Sequence, residues 1–292
     1  MPSKAKSITH EHLLSIINTE SHRFPDNSLV RLLDLGCGDG ELILYLVKNL
    51  PLLNESLRFE VYGFDVHNHG VQKEGFLSET IDRLSDEVPD TAWQDRILSI
   101  STDEQWPYPG DFFDIIISNQ VLEHVHDHAS IFLQIYRTLH EGGISIHIFP
   151  LRHYIYETHL NLPLVHRIQS YDMLFAYIKW MSRIGIGKFK KVRDNISLER
   201  YAKMHADYMF YYTNYISYKE LLLLAKKHRM RISFKYTYNL YLRKIQSVFS
   251  SNEYYTYNKD RSTFLDWLSL TVLKYCSSVT LFLEKEETYT KR

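Results

Sequence analysis

Asp34-Leu35-Gly36-Cys37-Gly38-Asp39-Gly40 decides the reading of this chain. The apolar run Arg31–Leu35 leads into it as a strand, and Glu41–Leu50 leaves it as a helix stopped before Pro51. Glycines in such a turn allow a tight bend and let a ligand touch the backbone. The opening helix adds N–H groups that have no partner within the helix. A dinucleotide-binding turn reads G-x-G-x-x-G and needs glycine at 41. Position 41 is Glu and the third glycine is Gly40, so a nicotinamide oxidoreductase is disfavoured.

Outward from the turn, short apolar runs alternate with helical patterns, which predicts a parallel sheet. Phe59–Phe64 is strand two, Arg96–Ser101 strand three and Phe112–Ser118 strand four, whose three isoleucines suit burial on both faces. A helix over Ala129–His140 ends at Gly142-Gly143, and Ile144–Phe149 is strand five, closed by Pro150. Residues 151–216 change character. They are rich in Tyr, His and basic residues, with helical stretches near 170–183 and 197–212. A helix over Tyr218–His228, strand six over Arg231–Thr237, a helical segment near Thr263–Tyr275 and a last strand over Val279–Glu284 follow. The expected fold is α/β: a Rossmann-like, seven-stranded, mostly parallel sheet with helices on both faces and a helical cap inserted after strand five. The expected organisation is a ligand-binding core in 1–150, the cap in 151–216 and the rest of the sheet in 217–292.

The spacing G-x-G-x-G, with Asp34 two residues before the first glycine, resembles motif one of the class I S-adenosylmethionine-dependent methyltransferases. The likeness covers about residues 28–150 well and the last strands loosely. It implies S-adenosyl-L-methionine as cofactor, lined by Asp34, Gly36, Cys37, Gly38 and Gly40. It implies that Asp65, beside Val66 at the end of strand two, accepts the ribose hydroxyls. After strand three the family places an acid near adenine. Here Thr102 stands in that position with Asp103 next to it, a departure from the pattern. Asn119 and Gln120, at the end of strand four, are the implied contacts beneath the methionine part. A looser likeness, in Phe149-Pro150, Glu157-Thr158-His159 and Leu162-Pro163-Leu164-Val165-His166, is to methyltransferases of bacterial surface-glycan biosynthesis.

Methyl transfer to a hydroxyl needs a base for the departing proton. His124, after strand four, and His159, opening the cap, are the candidates, with Glu157 as an orienting partner. His126, His128 and His147 are further histidines, and any one of these rings can equally be a satisfied structural side chain. His124–His128 with Glu123 and Asp127 fits no strong metal spacing, and no metal is expected. Asn119-Gln120-Val121-Leu122 lacks the Pro-Pro-aromatic of adenine and glutamine N-methyltransferases, and no cysteine nucleophile stands there. The expected activity is O-methylation of a small polar metabolite or saccharide, with Arg152, Arg167 and Lys188 available to an anionic group. The alternatives are an RNA or protein methyltransferase, or a non-catalytic cofactor-binding partner subunit.

Composition sets the remaining bounds. Thirty-four Lys and Arg against 35 Asp and Glu give a formal net charge of −1, which offers no global argument for nucleic acid. Cations do outnumber acids from Arg183 to Arg231, either as a solvated face or as a surface for an anionic ligand. Cys37 and Cys276 match no metal spacing, and a reducing compartment is expected. The N-terminus has no signal-peptide pattern, and Trp267–Leu283 is short for a membrane span and interrupted by Lys274. The expected location is cytoplasmic. Nothing in the pattern sets the oligomeric state.

Overall fold

The computed structural model describes residues 5–67, 75–249, 257 and 263–286. The chain opens with α1 (Ile8–Ser21), then runs β1 (Leu29–Leu35), α2 (Glu41–Leu53), β2 (Arg58–Val66), α3 (Phe76–Glu87), β3 (Ile97–Ile100) and β4 (Phe113–Asn119). Next come α4 (His128–Thr138), β5 (Leu139–Pro150), a small hairpin of β6 (Tyr156–Glu157) and β7 (Leu162–Pro163), α5 (Tyr171–Arg183) and α6 (Leu198–Tyr211). The last elements are α7 (Tyr218–Lys227), β8 (Met230–Ser233), α8 (Thr237–Phe249), α9 (Thr263–Leu273) and β9 (Ser278–Lys285).

Seven strands form one sheet in the order β3-β2-β1-β4-β5-β9-β8. The first five are parallel, and β9 runs antiparallel between β5 and β8. The order reverses at β1, so the ends of β1 and β4 flank a crevice of the kind where open α/β sheets bind ligands. One face carries a core of α1, α2 and sheet residues such as Leu32, Ile115 and Ile146. The other packs Leu33, Ile116 and Leu281 against α4 and α7 through Phe132, Ile135 and Leu221. Segment 151–216 has an apolar cluster of its own, including Leu160, Leu174, Ile178, Tyr201 and Met209. No helix among the described residues is long and apolar enough to cross a membrane.

Several elements differ from the sequence reading. Helix α2 runs through Pro51 to Leu53, because proline in the last turn forfeits only one backbone bond and Asn54 N still donates to Leu50 O at 3.0 Å. Gly142-Gly143 does not end a helix. α4 stops at Thr138 and passes straight into β5, and a shift in the β4–β5 register occurs beside the glycines. Strand six ends at Ser233, and Thr237 opens α8 instead. Helices α1, α3 and α8 are additions to the elements expected from the sequence. His12 locks α1 to the sheet: its ring nitrogens lie 2.6 Å from Tyr257 Oη and 2.9 Å from Thr280 Oγ1 on β9. Burial pushes its pKa down to about 3, so it serves as a neutral hydrogen-bonding group.

Candidate active site

The glycine turn is built by backbone. Gly36 N and Cys37 N both donate to Phe64 O, at 2.9 and 3.1 Å, which fastens the turn to the end of β2. Gly36 has φ +69°, and a Cβ there would lie 2.7 Å from Val121 Cγ2, so only glycine lets this turn close on the segment after β4. Gly38 differs: its φ is +52°, and a Cβ would meet nothing within 4 Å. Its N–H donates to Asp65 Oδ2 at 2.8 Å, while Val66 N donates to Asp65 Oδ1 at 2.7 Å. Asp65 is thus aimed at the turn by two backbone donors. Asp34 is buried on β1, and burial, with the charge of Asp65 adding, holds its carboxyl well above the usual range. Burial raises the Cys37 thiol well above its ordinary value too, so Cys37 is a packing residue in the turn. Gly40 is the left-handed residue from which α2 starts.

The other expected contacts are placed unevenly. Asn119 ends β4 with its Oδ1 buried and, among the described residues, without a hydrogen-bond partner. Gln120 takes a left-handed backbone, φ +58°, and its Nε2 donates to Ser278 Oγ at 2.9 Å, which ties its side chain to β9. Thr102 and Asp103 are exposed in the turn after β3, where Ser101 N donates to Glu104 Oε2 at 3.0 Å.

The cap reaches this region through short contacts. Asn214 N donates to Glu123 O at 2.6 Å, and its side chain donates to the carbonyls of Val125 and His126. His124 Nδ1 lies 2.7 Å from Tyr212 O, so that nitrogen carries the proton. His124 and His159 come together with ring centroids 6.2 Å apart, and Tyr208 packs 5.8 Å from His159. His159 Nδ1 lies 2.6 Å from Glu157 Oε1. Glu157 is fully buried and also accepts from His159 N, Leu160 N and Tyr154 Oη, at 2.9, 2.6 and 3.2 Å. Burial alone would raise its pKa, but the His159 ring and these N–H donors hold it below the usual carboxylate value. The His159 side chain stays 41% exposed, within reach of a ligand.

Two further histidines, His147 and His128, are structural. His147 is buried between Ser118 and Ser145 hydroxyls, each 2.7 Å away, and burial lowers its pKa to about 3. His128 Nε2 lies 2.8 Å from Leu122 O, and Asp127 caps α4 by accepting from Ala129 N and Ser130 N. Among the described residues no group of three His, Cys, Asp or Glu is placed to hold a metal ion.

Sequence reasoning passed over Glu123, apart from its place beside the histidines. It is fully buried where core meets cap, and neither carboxylate oxygen has a hydrogen-bond partner among the described residues. Burial, with Glu157 nearby, pushes its pKa up to about 8.

The donor and acceptor set fits S-adenosylmethionine: a glycine turn open at Gly38, an aimed carboxylate at Asp65, and a buried orphaned acceptor on Asn119. A family model described as a methyltransferase domain matches residues 8–201, which is 194 of the 292 residues. The chain belongs to this methyltransferase family. Its methyl donor is S-adenosylmethionine, and its general activity is methyl transfer. Among curated proteins no sequence matches significantly. Similar solved structures include the YcgJ protein of Bacillus subtilis, 15% identical, with 96% of this chain and 100% of that one covered at a TM-score of 0.47. Geranyl diphosphate C-methyltransferase of Streptomyces coelicolor A3(2) is 15% identical, with 95% and 81% covered and a TM-score of 0.46. Phosphoethanolamine N-methyltransferase 2 of Haemonchus contortus is 14% identical, with 96% and 57% covered and a TM-score of 0.44. Such distant likenesses say nothing of the acceptor.

Proposed function

We propose that this methyltransferase acts on an oxygen of a small polar metabolite or saccharide, held between the ends of β1 and β4 and a cap formed by residues 151–216. The bound cofactor supplies an electrophilic methyl group. Asp65, held by two backbone donors, accepts the ribose hydroxyls in this reading. The polar groups of the turn and Asn119 fix the rest, so that the acceptor meets the methyl in line. The observation that carries the reading is the Glu157–His159 pair. Glu157 accepts the Nδ1 proton, which leaves the lone pair on Nε2 of the exposed ring edge. That nitrogen takes the acceptor's hydroxyl proton as the methyl arrives, and the ionised Glu157 stabilises the imidazolium that forms. His124 and Tyr208 wall the ring in from the core and cap sides.

The test is methyl-labelled S-adenosylmethionine incubated with the chain and a cell extract separated by size afterwards. Label in the small-molecule fraction supports the reading. Label confined to RNA or protein would reassign the exposed cations of 183–231 to a macromolecular acceptor. No label with any fraction would leave a cofactor-binding subunit.

A further inference from the structure

A cleft of about 440 Å³ opens in the cap beside the tyrosines that brace Glu157. Its walls carry Arg152, His153, His166, Arg167, Asn214 and Tyr215, and no acidic residue lines it. Arg152 is anchored by Nε, which donates to Tyr215 O at 2.7 Å, and its Nη1 lies 3.5 Å from Glu220. Arg167 is anchored by Nη2 alone, which donates to the carbonyls of His153 and Tyr154 at 2.5 and 3.3 Å. Arg152 Nη2 and Arg167 Nη1 and Nε have no partner among the described residues. Both guanidiniums are therefore pre-positioned yet keep donors to offer, which suits a planar or tetrahedral oxyanion. The imidazoles register the same field. Burial, with the charge of Arg167 adding, pushes His166 down to about 4. His153 is lowered by burial, then by Lys274 and both arginines. The cleft thus holds two fixed cations and two neutral rings. Lys188, the third cation expected near an anionic group, does not line it.

We propose that this cleft binds a phosphate or carboxylate group of the methyl acceptor, which makes the acceptor an anionic small molecule. The inference rests on the small-molecule reading above. One layer of rings joins the cleft to the base. His166 lies 4.3 Å from Tyr154 and 5.0 Å from Tyr215, centroid to centroid. Tyr154 Oη in turn lies 3.2 Å from Glu157 Oε1 and 3.3 Å from Tyr215 Oη. An anion held here anchors its molecule at a distance from the reacting oxygen, and binding energy gained away from the reaction centre positions that oxygen.

The test uses inorganic phosphate, titrated calorimetrically into the full chain at low salt, with Arg167→Gln and Arg152→Gln beside the parent. Each variant should weaken phosphate binding about tenfold or more. S-adenosylhomocysteine affinity should be retained, which controls for folding. In the labelled-methyl assay, phosphate should compete with the small-molecule acceptor, and the acceptor's KM should rise by a similar factor in both variants. Phosphate that does not bind, or that binds both variants as it binds the parent, overturns the proposal. So does label in neutral small molecules with an unchanged KM in the variants, an outcome that leaves the small-molecule reading standing. Label only in macromolecules overturns both.

Discussion

The turn at 34–40 and the hairpin at 156–163 present polar groups by opposite means. The turn works with backbone: Gly36, Cys37 and Gly38 place their N–H groups on Phe64 O and Asp65, and side chains are small or absent. The hairpin works with side chains: a buried carboxylate collects two backbone donors, a tyrosine and an imidazole, and sets the imidazole at the surface. A backbone site suits a ligand that does not vary with the acceptor, as the proposed function asks of this turn. A side-chain site can change its acceptor by substitution without disturbing the sheet.

Three substitutions sharpen that contrast. The largest effect is expected at Gly36, where the backbone means leave no room. Gly36→Val forces a branched side chain into the left-handed region and against Val121. It should cost about 3 kcal/mol or more of folding stability and abolish cofactor binding. Chemical denaturation and calorimetry of the variant check both, and a normally stable, binding variant would break the backbone half of the contrast.

Glu123, near the hairpin's Glu157, should follow with a pH signature. Its folded pKa of about 8 lies above the ordinary value of about 4.5. Below pH 4.5 both folded and unfolded chains hold the proton and nothing is lost. Between 4.5 and 8 the unfolded chain releases a proton that the folded chain keeps, so this contribution to stability falls as pH rises and levels off above 8. Glu123→Gln removes that slope. The variant should gain on the parent by a few kcal/mol across the window, as read from urea midpoints at several pH values. A parent and variant that track in parallel would mean that Glu123 finds a partner in solution.

The smallest effect is expected at Asp65, because other backbone contacts remain. A charge-assisted ribose hydrogen bond is worth about 1.5–3 kcal/mol. Asp65→Ala should therefore weaken S-adenosylhomocysteine by about tenfold to a hundredfold in calorimetry. Unchanged affinity removes Asp65 from the cofactor site.

The contrast also explains what could be read without coordinates. The turn and its flanking strands were legible because backbone chemistry leaves glycines at fixed spacing, and because strands buried on both faces leave runs such as Ile115-Ile116-Ile117. Glu157 and His159 were legible as a local pair two residues apart. Glu123 was not, since its burial is tertiary: among the residues that meet it is Asn214, 91 positions later, which donates to its carbonyl. Helix α1 lacked an amphipathic signal because its buried residues include His12, Ser15, Asn18 and Glu20 as well as leucines. Strand six ends at Ser233 although Ile232, Phe234 and Tyr236 alternate as a longer strand would. Past Ser233 the chain has left the ladder, with Phe234 buried in one core and Tyr236 in the other. Asp127 shows how a residue weighed beside a metal motif can be only a helix cap.

The central claim, that His159 held by Glu157 takes the proton as the methyl is transferred, is tested most directly by single-turnover methyl transfer from preloaded S-adenosylmethionine. Parent, His159→Ala and His124→Ala are compared on the small-molecule acceptor that takes up label. The account predicts that His159→Ala slows transfer by about 10²–10⁴-fold with cofactor affinity kept, and that His124→Ala, which removes a neighbouring wall rather than the base, loses less. Transfer by His159→Ala at the parent rate would contradict it.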